Sequence, residues 1–498
     1  MTVRRLFVLL FVVALFAMAV RETLDPDMWW HLRTGEAILA GGIPTHDIFS
    51  FTVPEHEWVT HEWGAQVFMW LVYVAGGLPA LIVVFALLIA LTFWLLFLSC
   101  EGRPYLAGFV VLLAAVTSAI VWGARPQIFN LLLTAVFIYI IEGRLGKERR
   151  AQREGRAALP SPFSLRSSLW LLPILTAVWA NLHSGYLLGV VLIGTYAVGE
   201  AGQRFLQPSD ERSLGWGVVG SLFVMAGLSF AAAVLNPSGA ALWLYPFETL
   251  GSPAMQAYIQ EWHSPDFHLR IFWPFVVMLG VGVLSWVYGG KRPSVSELLL
   301  FGGTGAAGLI SARNIPIFAI ISAPIVARHV LILFTGTAAY PLLSGQEGGE
   351  RPSGVLGVLN WVVLVAALFG AFVWTANTVI LNEVEVAAVY PVTAVDYLEE
   401  SGLAEMRGYN SYNWGGYLIW RGVRVFVDGR ADVYGDDFLF YYRRTFELRE
   451  NWQEPLDDFA VDYVLMERDS PLAIMLLNHE GWQEAYADDL ARIFVRAN

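Results

Sequence analysis

Apolar residues fall along this chain in long unbroken runs separated by short polar stretches. A helix that spans a bilayer needs about 20 mostly apolar residues. By that rule the runs at 6–20, 78–100, 105–122, 126–142, 168–181, 185–201, 215–235, 271–289, 295–312, 314–334 and 355–380 predict eleven spans. The clearest, 78–100, has no charged residue, whereas 168–181 and 185–201 are short and divided only by "NLHSGY" at 181–186. From residue 381 the pattern shortens. "AVDYLEESG" has helical spacing, while "GYLIW", "VRVFV", "VDYVLME" and "ARIFVRA" read as strands, with Asp428-Gly429 as a turn. The expected architecture is mainly α: residues 1–380 form a polytopic transmembrane helical bundle. Residues 381–498 form a small α/β domain of a size that folds by itself.

The Lys/Arg bias orients the bundle. Arg4 and Arg5 precede the first run, seven Lys/Arg occupy 143–166, and Arg204, Arg212, Lys291 and Arg292 fall in loops of the same parity. This predicts a cytoplasmic N-terminus, a cytoplasmic linker at 336–354 and an extracytoplasmic C-terminal domain, in the cell (inner) membrane. The first run also resembles a signal peptide ending at Ala17-Met18-Ala19, which would leave the later topology unchanged. Two large loops, 21–77 and 236–270, then face outward. The end of the first, before 78, reads as an amphipathic helix at the membrane interface.

Composition agrees. The chain of 498 residues is 56% hydrophobic and 15% charged, with a mean hydropathy of +0.54, against about 25% charged in soluble domains. One cysteine excludes a disulfide framework. Residues 381–498 hold 22 acids against 10 Lys/Arg and so carry the whole net charge of −12. Nucleic acid, which needs a basic footprint, is not a partner.

Polar chemistry gathers in the expected outer loops, where seven of nine histidines lie. The first loop opens "RETLDPDMWWHLRTGE" (21–36). Asp25 suits a helix N-cap, Pro26 the first helical position, and Asp27 the positive end of the helix dipole. Pro26 also holds Asp25 extended, so both carboxylates can point one way. Such a pair suits Mg²⁺ or Mn²⁺, or one acid serves as a base. Asp25 and Asp27 are therefore the candidate catalytic and metal-binding residues. Trp30, His31, His61, Glu62, His183, Asp266 and His268 share that face and are expected to line a substrate cavity. His56-Glu57 and His61-Glu62 stand five apart, which excludes the H-E-x-x-H zinc motif. Arg125 in "GARPQ" and Arg313 in "SARNIP" sit in outer turns where positive charge is disfavoured. They are candidates for holding a phosphate through bidentate bonds, or are interfacial snorkels. In the tail, Trp414, Arg430 and Asp432 are candidates to face an acceptor.

These motifs resemble the GT-C superfamily of membrane glycosyltransferases, which use polyprenyl-phosphate-linked sugars. The catalytic subunit of oligosaccharyltransferases carries a D-x-D followed by aromatics in its first outer loop, as Asp25-Pro26-Asp27-Met28-Trp29-Trp30 does here. Its W-W-D-Y-G-Y motif is similar to Tyr412-Asn413-Trp414-Gly415-Gly416-Tyr417, with Trp414 in place of the aspartate that reads the protein sequon. The family's second acidic motif has no counterpart at "GARPQ". "NLHSGY", "LNPSG", "EWHSPDFH" and "ARNIP" resemble an uncharacterised bacterial branch. The resemblance implies transfer of a sugar from a lipid-linked donor to a glycan, lipid or protein acceptor, among membrane lipids. A transporter or lipid-carrier flippase, or a non-enzymatic subunit of a membrane assembly, is the alternative.

Overall fold

The structure, a computed structural model, describes residues 1–154, 168–345 and 354–497. Parts of the expected cytoplasmic loop and linker, 155–166 and 346–353, lie outside the described residues. The first segment holds α1 (Val3–Ala19), α2 (Pro26–Gly41), α3 (Trp63–Ser99), α4 (Tyr105–Ser118) and α5 (Gln127–Arg153). Next come α6 (Leu171–Trp179), α7 (Tyr186–Leu206), α8 (Trp216–Ala232), α9 (Ala241–Gly251) and α10 (Pro253–Tyr258). Then follow α11 (Trp273–Tyr288), α12 (Val295–Ile310), α13 (Ile315–Leu333), α14 (Tyr340–Leu343) and α15 (Gly354–Val389).

Every apolar run contains a helix. Among the described residues five are long and apolar enough to cross a membrane, and four more are shorter apolar helices. Helix α13 is the central post, with 83% of its apolar window buried, whereas α15 buries only 11% and turns an apolar surface outward. The segment expected at the interface and the span expected from 78 are one element, α3. It is broken where Gly76 and Gly77 leave helical geometry (φ 65° at Gly77), just before Pro79.

One end of the bundle is tied by charge. Arg328 on α13 pairs with Glu142 on α5 at 2.8 Å, with Glu297 at the start of α12 at 2.6 Å, and with Glu101 in the α3–α4 loop at 3.1 Å. Arg149 pairs with Glu200 of α7 at 2.6 Å. At 1.5 Å rise per residue, Glu142 and Arg328 lie about 20 Å along helices whose other ends carry the loops described below.

The tail differs from its expected pattern in two places. "GYLIW" is helical (α17, Gly415–Trp420) and buried almost all round, because a five-residue apolar run does not distinguish a buried strand from a buried helix. "VRVFV" forms no strand of the sheet, and its partner is the first loop: Val425 forms an isolated parallel bridge with Ser50. The rest comprises α16 (Val392–Glu400), α18 (Ala431–Phe446), α19 (Glu454–Asp458) and α20 (Pro471–Leu476) beside a four-stranded sheet. Its strands are β1 (Gly408–Asn410), β2 (Tyr463–Glu467), β3 (Trp482–Ala487) and β4 (Ala491–Arg496), in the order β1-β2-β4-β3. β1 runs parallel to β2; the other pairs are antiparallel.

The boundary expected at 380 falls inside α15, which continues to Val389. Beyond it the tail and the first loop share one interior. Arg430, 1% exposed, pairs with Asp428 of the tail at 2.7 Å and with Asp47 of the loop at 2.6 Å. Its guanidinium also lies 4.7 Å from the ring of Trp58. Tyr390 donates to the Leu24 carbonyl at 2.8 Å, and Trp29 packs edge-on against Tyr390 and Tyr417.

Candidate active site

Sequence sets the local geometry of the opening motif directly. Asp25 is extended (φ −72°, ψ 122°), caps α2 by accepting the Asp27 N–H at 3.0 Å, and is followed by Pro26 in the first turn. That capping uses only one of Asp25's oxygens. Its Oδ2 lies 3.3 Å from Arg125 Nη1, and Asp27 Oδ2 lies 3.1 Å from Arg125 Nη2. Asp27 Oδ1 accepts the Trp30 indole N–H at 3.0 Å. Glu261, from the second large loop, places Oε1 3.2 Å from Arg125 Nη1. Capping and chemistry are therefore compatible: a rigid helix start aims two carboxylates, joined by a third, at one guanidinium.

The tail closes over this turn through glycines. A Cβ on Gly416 would lie 2.3 Å from the Pro26 carbonyl oxygen, and one on Gly429 would lie 2.1 Å from Asp27 Oδ1. Only a residue without a side chain lets the backbone approach so closely.

Burial pushes the Asp27 carboxyl up to about 7; Arg125 opposes this, while Asp25 and Glu261 add to it. Burial disfavours charge on Arg125 as well, but Asp25, Asp27 and Glu261 outweigh it and hold the guanidinium above its usual range. A carboxylate poised near neutral pH is what a general base needs.

Beside this centre lies a buried histidine cluster. His61 and His183 each place Nε2 3.5 Å from Glu62, and His31, one turn after Asp27 on α2, lies 3.8 Å from it. The Gly185 N–H donates to His183 Nδ1 at 2.8 Å, so that ring carries its proton on Nε2, toward Glu62. Burial pushes His31 down to about 3 and His183 down to about 4. His61 escapes: burial lowers it, but the Glu62 charge and hydrogen bond raise it more. Burial likewise works against the Glu62 carboxylate, which His61, His183 and His31 nevertheless hold below the usual carboxylate range. Within the pocket Glu62 thus favours the charged form of His61, while burial keeps His31 and His183 neutral. Asp432 joins it from the tail: burial raises its carboxyl against the pull of His61, and it accepts the Tyr245 hydroxyl at 3.1 Å.

Two other arginines lie on tryptophan faces. Arg313 sits 4.5 Å from the ring of Trp262, the neighbour of Glu261, and Arg21 sits 5.5 Å from the ring of Trp122, in the turn that carries Arg125. Neither side chain has a carboxylate partner within ion-pair distance among the described residues.

Of the residues expected from sequence, Asp25, Asp27, Trp30 and Arg125 meet directly, and His31, His61, Glu62, His183 and Asp432 form the adjoining pocket. Arg313 stands at their edge. Asp266 and His268 do not join them; they are exposed and pair with each other at 2.8 Å. Trp414 and Arg430 present nothing to an acceptor. Trp414 is 3% exposed and donates to the Val389 carbonyl at 3.0 Å, tying the tail to the end of α15, and Arg430 is locked between Asp428 and Asp47. Sequence reasoning missed Glu261, Tyr245, Trp262 and Gly429. Its usable signal for Glu261 was the cluster of aromatics and histidines around "QEWHSPDFH", but spacing alone does not pair residues more than a hundred positions apart.

The donor types at the acid centre, hard carboxylate oxygens, suit Mg²⁺ or Mn²⁺. The position on which they converge, however, is that of the Arg125 guanidinium. Among the described residues no group of three or more His, Cys, Asp or Glu is placed to hold a metal ion.

No protein-family model matches the chain, and no curated protein matches it. Among solved structures it is similar to the Archaeoglobus fulgidus oligosaccharyltransferase in the apo form. That match has 12% identity and a TM-score of 0.54, over 99% of this chain and 74% of that one. The same enzyme tethered with an acceptor peptide containing the NVT sequon gives 13% identity and a TM-score of 0.56, over 100% and 74%. ArnT from Cupriavidus metallidurans bound to undecaprenyl phosphate gives 14% identity and a TM-score of 0.46, over 98% and 97%. What the first two likenesses establish at these identities is the fold: a polytopic bundle of apolar helices with a C-terminal domain at its loop end.

Proposed function

From a fold shared with an oligosaccharyltransferase, we propose that this protein is an integral membrane glycosyltransferase. It transfers a sugar from a polyprenyl-phosphate-linked donor to a glycan, lipid or protein acceptor on the outer face of the membrane. The observation that carries this reading is the convergence of the capped Asp25-Pro26-Asp27 turn with Arg125 and Glu261 at the loop end of the bundle. In the reaction the acceptor's nucleophilic oxygen or nitrogen forms a bond to the anomeric carbon and gives its proton to the Asp27 carboxylate. The bond from that carbon to the phosphate oxygen breaks, and its electron pair leaves with the phosphate. Arg125 is committed to three acids, so Arg313, backed by the Trp262 that adjoins Glu261, is a guanidinium with donors to spare for the phosphate. Trp414 in place of the sequon-reading aspartate, and its burial, argue against a sequon-directed protein acceptor.

Asp27→Asn keeps the side chain's size and removes its charge. Loss of a general base costs about 10²–10⁴-fold in rate, whereas loss of a helix-start interaction costs about 0.5–2 kcal/mol of stability. We expect Asp27→Asn protein to reach the membrane at normal levels and to lose transfer by at least about 10²-fold. The assay is lipid-linked sugar turnover, with mass spectrometry of surface glycans in a deletion strain identifying the substrates. Full transfer by the Asp25→Asn, Asp27→Asn double variant would leave the turn as a helix cap and end this reading.

A further inference from the structure

We propose that Arg125 is the resident cation of this site, and that the centre formed by Asp25, Asp27 and Glu261 works without a divalent metal. The inference rests on the glycosyltransferase reading for its catalytic meaning, but its structural part stands alone.

Carboxylates gathered in a partly buried site need a positive charge among them, because like charges at close range are costly and desolvation makes them more so. A hard divalent ion is one solution and a guanidinium is another. Arginine stays charged and offers several N–H donors in a fixed plane. Here the second solution is built into the chain. Arg125 Nη1 reaches Asp25 at 3.3 Å and Glu261 at 3.2 Å, and Nη2 reaches Asp27 at 3.1 Å. Three acids from two separate segments, the Asp25-Pro26-Asp27 turn and the second large loop, thus pair with the two terminal nitrogens of one side chain.

The mount is rigid on both sides. Arg125 lies in a tight turn, its N–H donating to the Gly123 carbonyl at 3.1 Å, directly before Pro126, the residue that precedes α5. Asp25 and Asp27 are fixed by the capped start of α2. The turn lies directly against Asp25: a Cβ on Gly123 would be in ordinary contact with Asp25 Oδ2 at 3.5 Å. A metal ion at this point would have to displace a side chain that is already bonded to all three of its prospective ligands. The sequence is consistent with this: the turn that carries the charge, "GARPQ", contains no acid and one arginine.

A guanidinium and a divalent ion also differ in what they leave for the substrate. Arg125 neutralises one of up to three negative charges and holds Asp25 and Asp27 in place. The donor phosphate is then left to a cation outside the triad, such as Arg313. The site therefore separates two tasks that one metal ion would combine: holding the acids and receiving the phosphate.

The test is Mn²⁺ binding to the full-length protein in detergent, read by electron paramagnetic resonance, so that it does not depend on activity. Wild type and the Asp25→Asn, Asp27→Asn variant are expected to bind Mn²⁺ identically, since neither offers a site at this turn. Arg125→Gln removes the resident charge and is expected to gain one Mn²⁺ site, lost again when Asp27→Asn is added. Wild-type turnover is expected to be unchanged by EDTA. A wild-type Mn²⁺ site that disappears in the double asparagine variant would overturn the proposal. So would an Arg125→Gln protein that folds, by its thermal transition, yet gains no site, or turnover abolished by EDTA and restored by Mn²⁺. If no sugar transfer is found with any donor, the glycosyltransferase reading fails while the binding comparison still decides the role of Arg125.

Discussion

Asp27 is the carboxyl group on which the proposed chemistry rests. Burial, opposed by Arg125, puts its proton affinity near neutrality, at about 7. A base acts when deprotonated, so transfer is expected to rise with pH through about 7 and to fall about tenfold per unit below it. A pH–rate profile that stays flat from 5 to 8 would remove Asp27 from the proton's path. The same shift has a stability sign. Between its ordinary value and about 7 the folded protein holds a proton that the unfolded chain has released, so folding loses stability as pH rises through that window. Asp27→Asn removes the cost, and at pH 8 the variant is expected to melt no lower than wild type. Its loss of activity then cannot be ascribed to unfolding.

Between elements, the contact that matters most joins the start of α2 to the glycine turns of the tail. The chain bridges the first loop at Val425 and four residues later brings Gly429 against Asp27 Oδ1, where an added Cβ would lie at 2.1 Å. In Gly429→Ala something has to shift, and the movable partner is the carboxylate, held by one indole and one guanidinium. Gly429→Ala is expected to lose transfer by about 10²-fold, the scale of a 1 Å misplacement of a catalytic group, while its melting temperature falls by only a few degrees. A melting temperature lowered by more than about 10 °C, with activity lost in proportion, would make this contact a packing feature only. At the far end of the bundle Arg328 and its three glutamates fasten α5, α12, α13 and the α3–α4 loop together. These are ionisable groups the apolar runs gave little hint of, and they are satisfied by one another.

Taken whole, the molecule joins its tail to its first loop through a common interior. The pattern after 381 suggests a domain that stands alone, but Arg430 needs Asp47 as well as Asp428, and Tyr390 and Tyr417 need Trp29. A fragment of residues 381–498 leaves those apolar faces bare and removes one acid from a buried ion-pair triad, a loss worth about 3–5 kcal/mol where a single partner is deleted. We expect it to lack a cooperative thermal transition by circular dichroism; a sharp transition would restore the independent domain. The Lys/Arg pattern, with the site loops on the opposite side, predicts that reporter fusions at 150, 206 and 345 read cytoplasmic and a fusion at 498 reads outside. A cytoplasmic signal at 498 would invert the whole arrangement and place the acid centre on the wrong face for an outer-leaflet donor.

That each apolar run holds a helix was legible in one dimension, because long apolar runs leave a chain near a membrane few alternatives to a helix. Only five of those helices are long and apolar enough to cross a membrane among the described residues. The capped turn at Asp25-Pro26-Asp27 was legible too, since capping is a relation between residues two or three apart. β2 and β4 were visible as apolar runs. β1 was too short to see, β3 buries only Trp482 and shows no alternation of apolar and polar residues to mark it, and "GYLIW" fits a buried helix as well as a buried strand. The site itself was only half legible. The sequence marked Asp25, Asp27 and Arg125 as separate curiosities, an acid pair with a possible metal and an arginine with a possible phosphate. Only the tertiary structure brought Arg125 across 98 positions to Asp27 and 136 to Glu261, and it turned Arg430 and Trp414 inward. Local rules reach as far as a helical turn or a hairpin. Which charge neutralises which is decided by the packing of helices that are distant in sequence, where burial makes an unpaired charge too costly to leave.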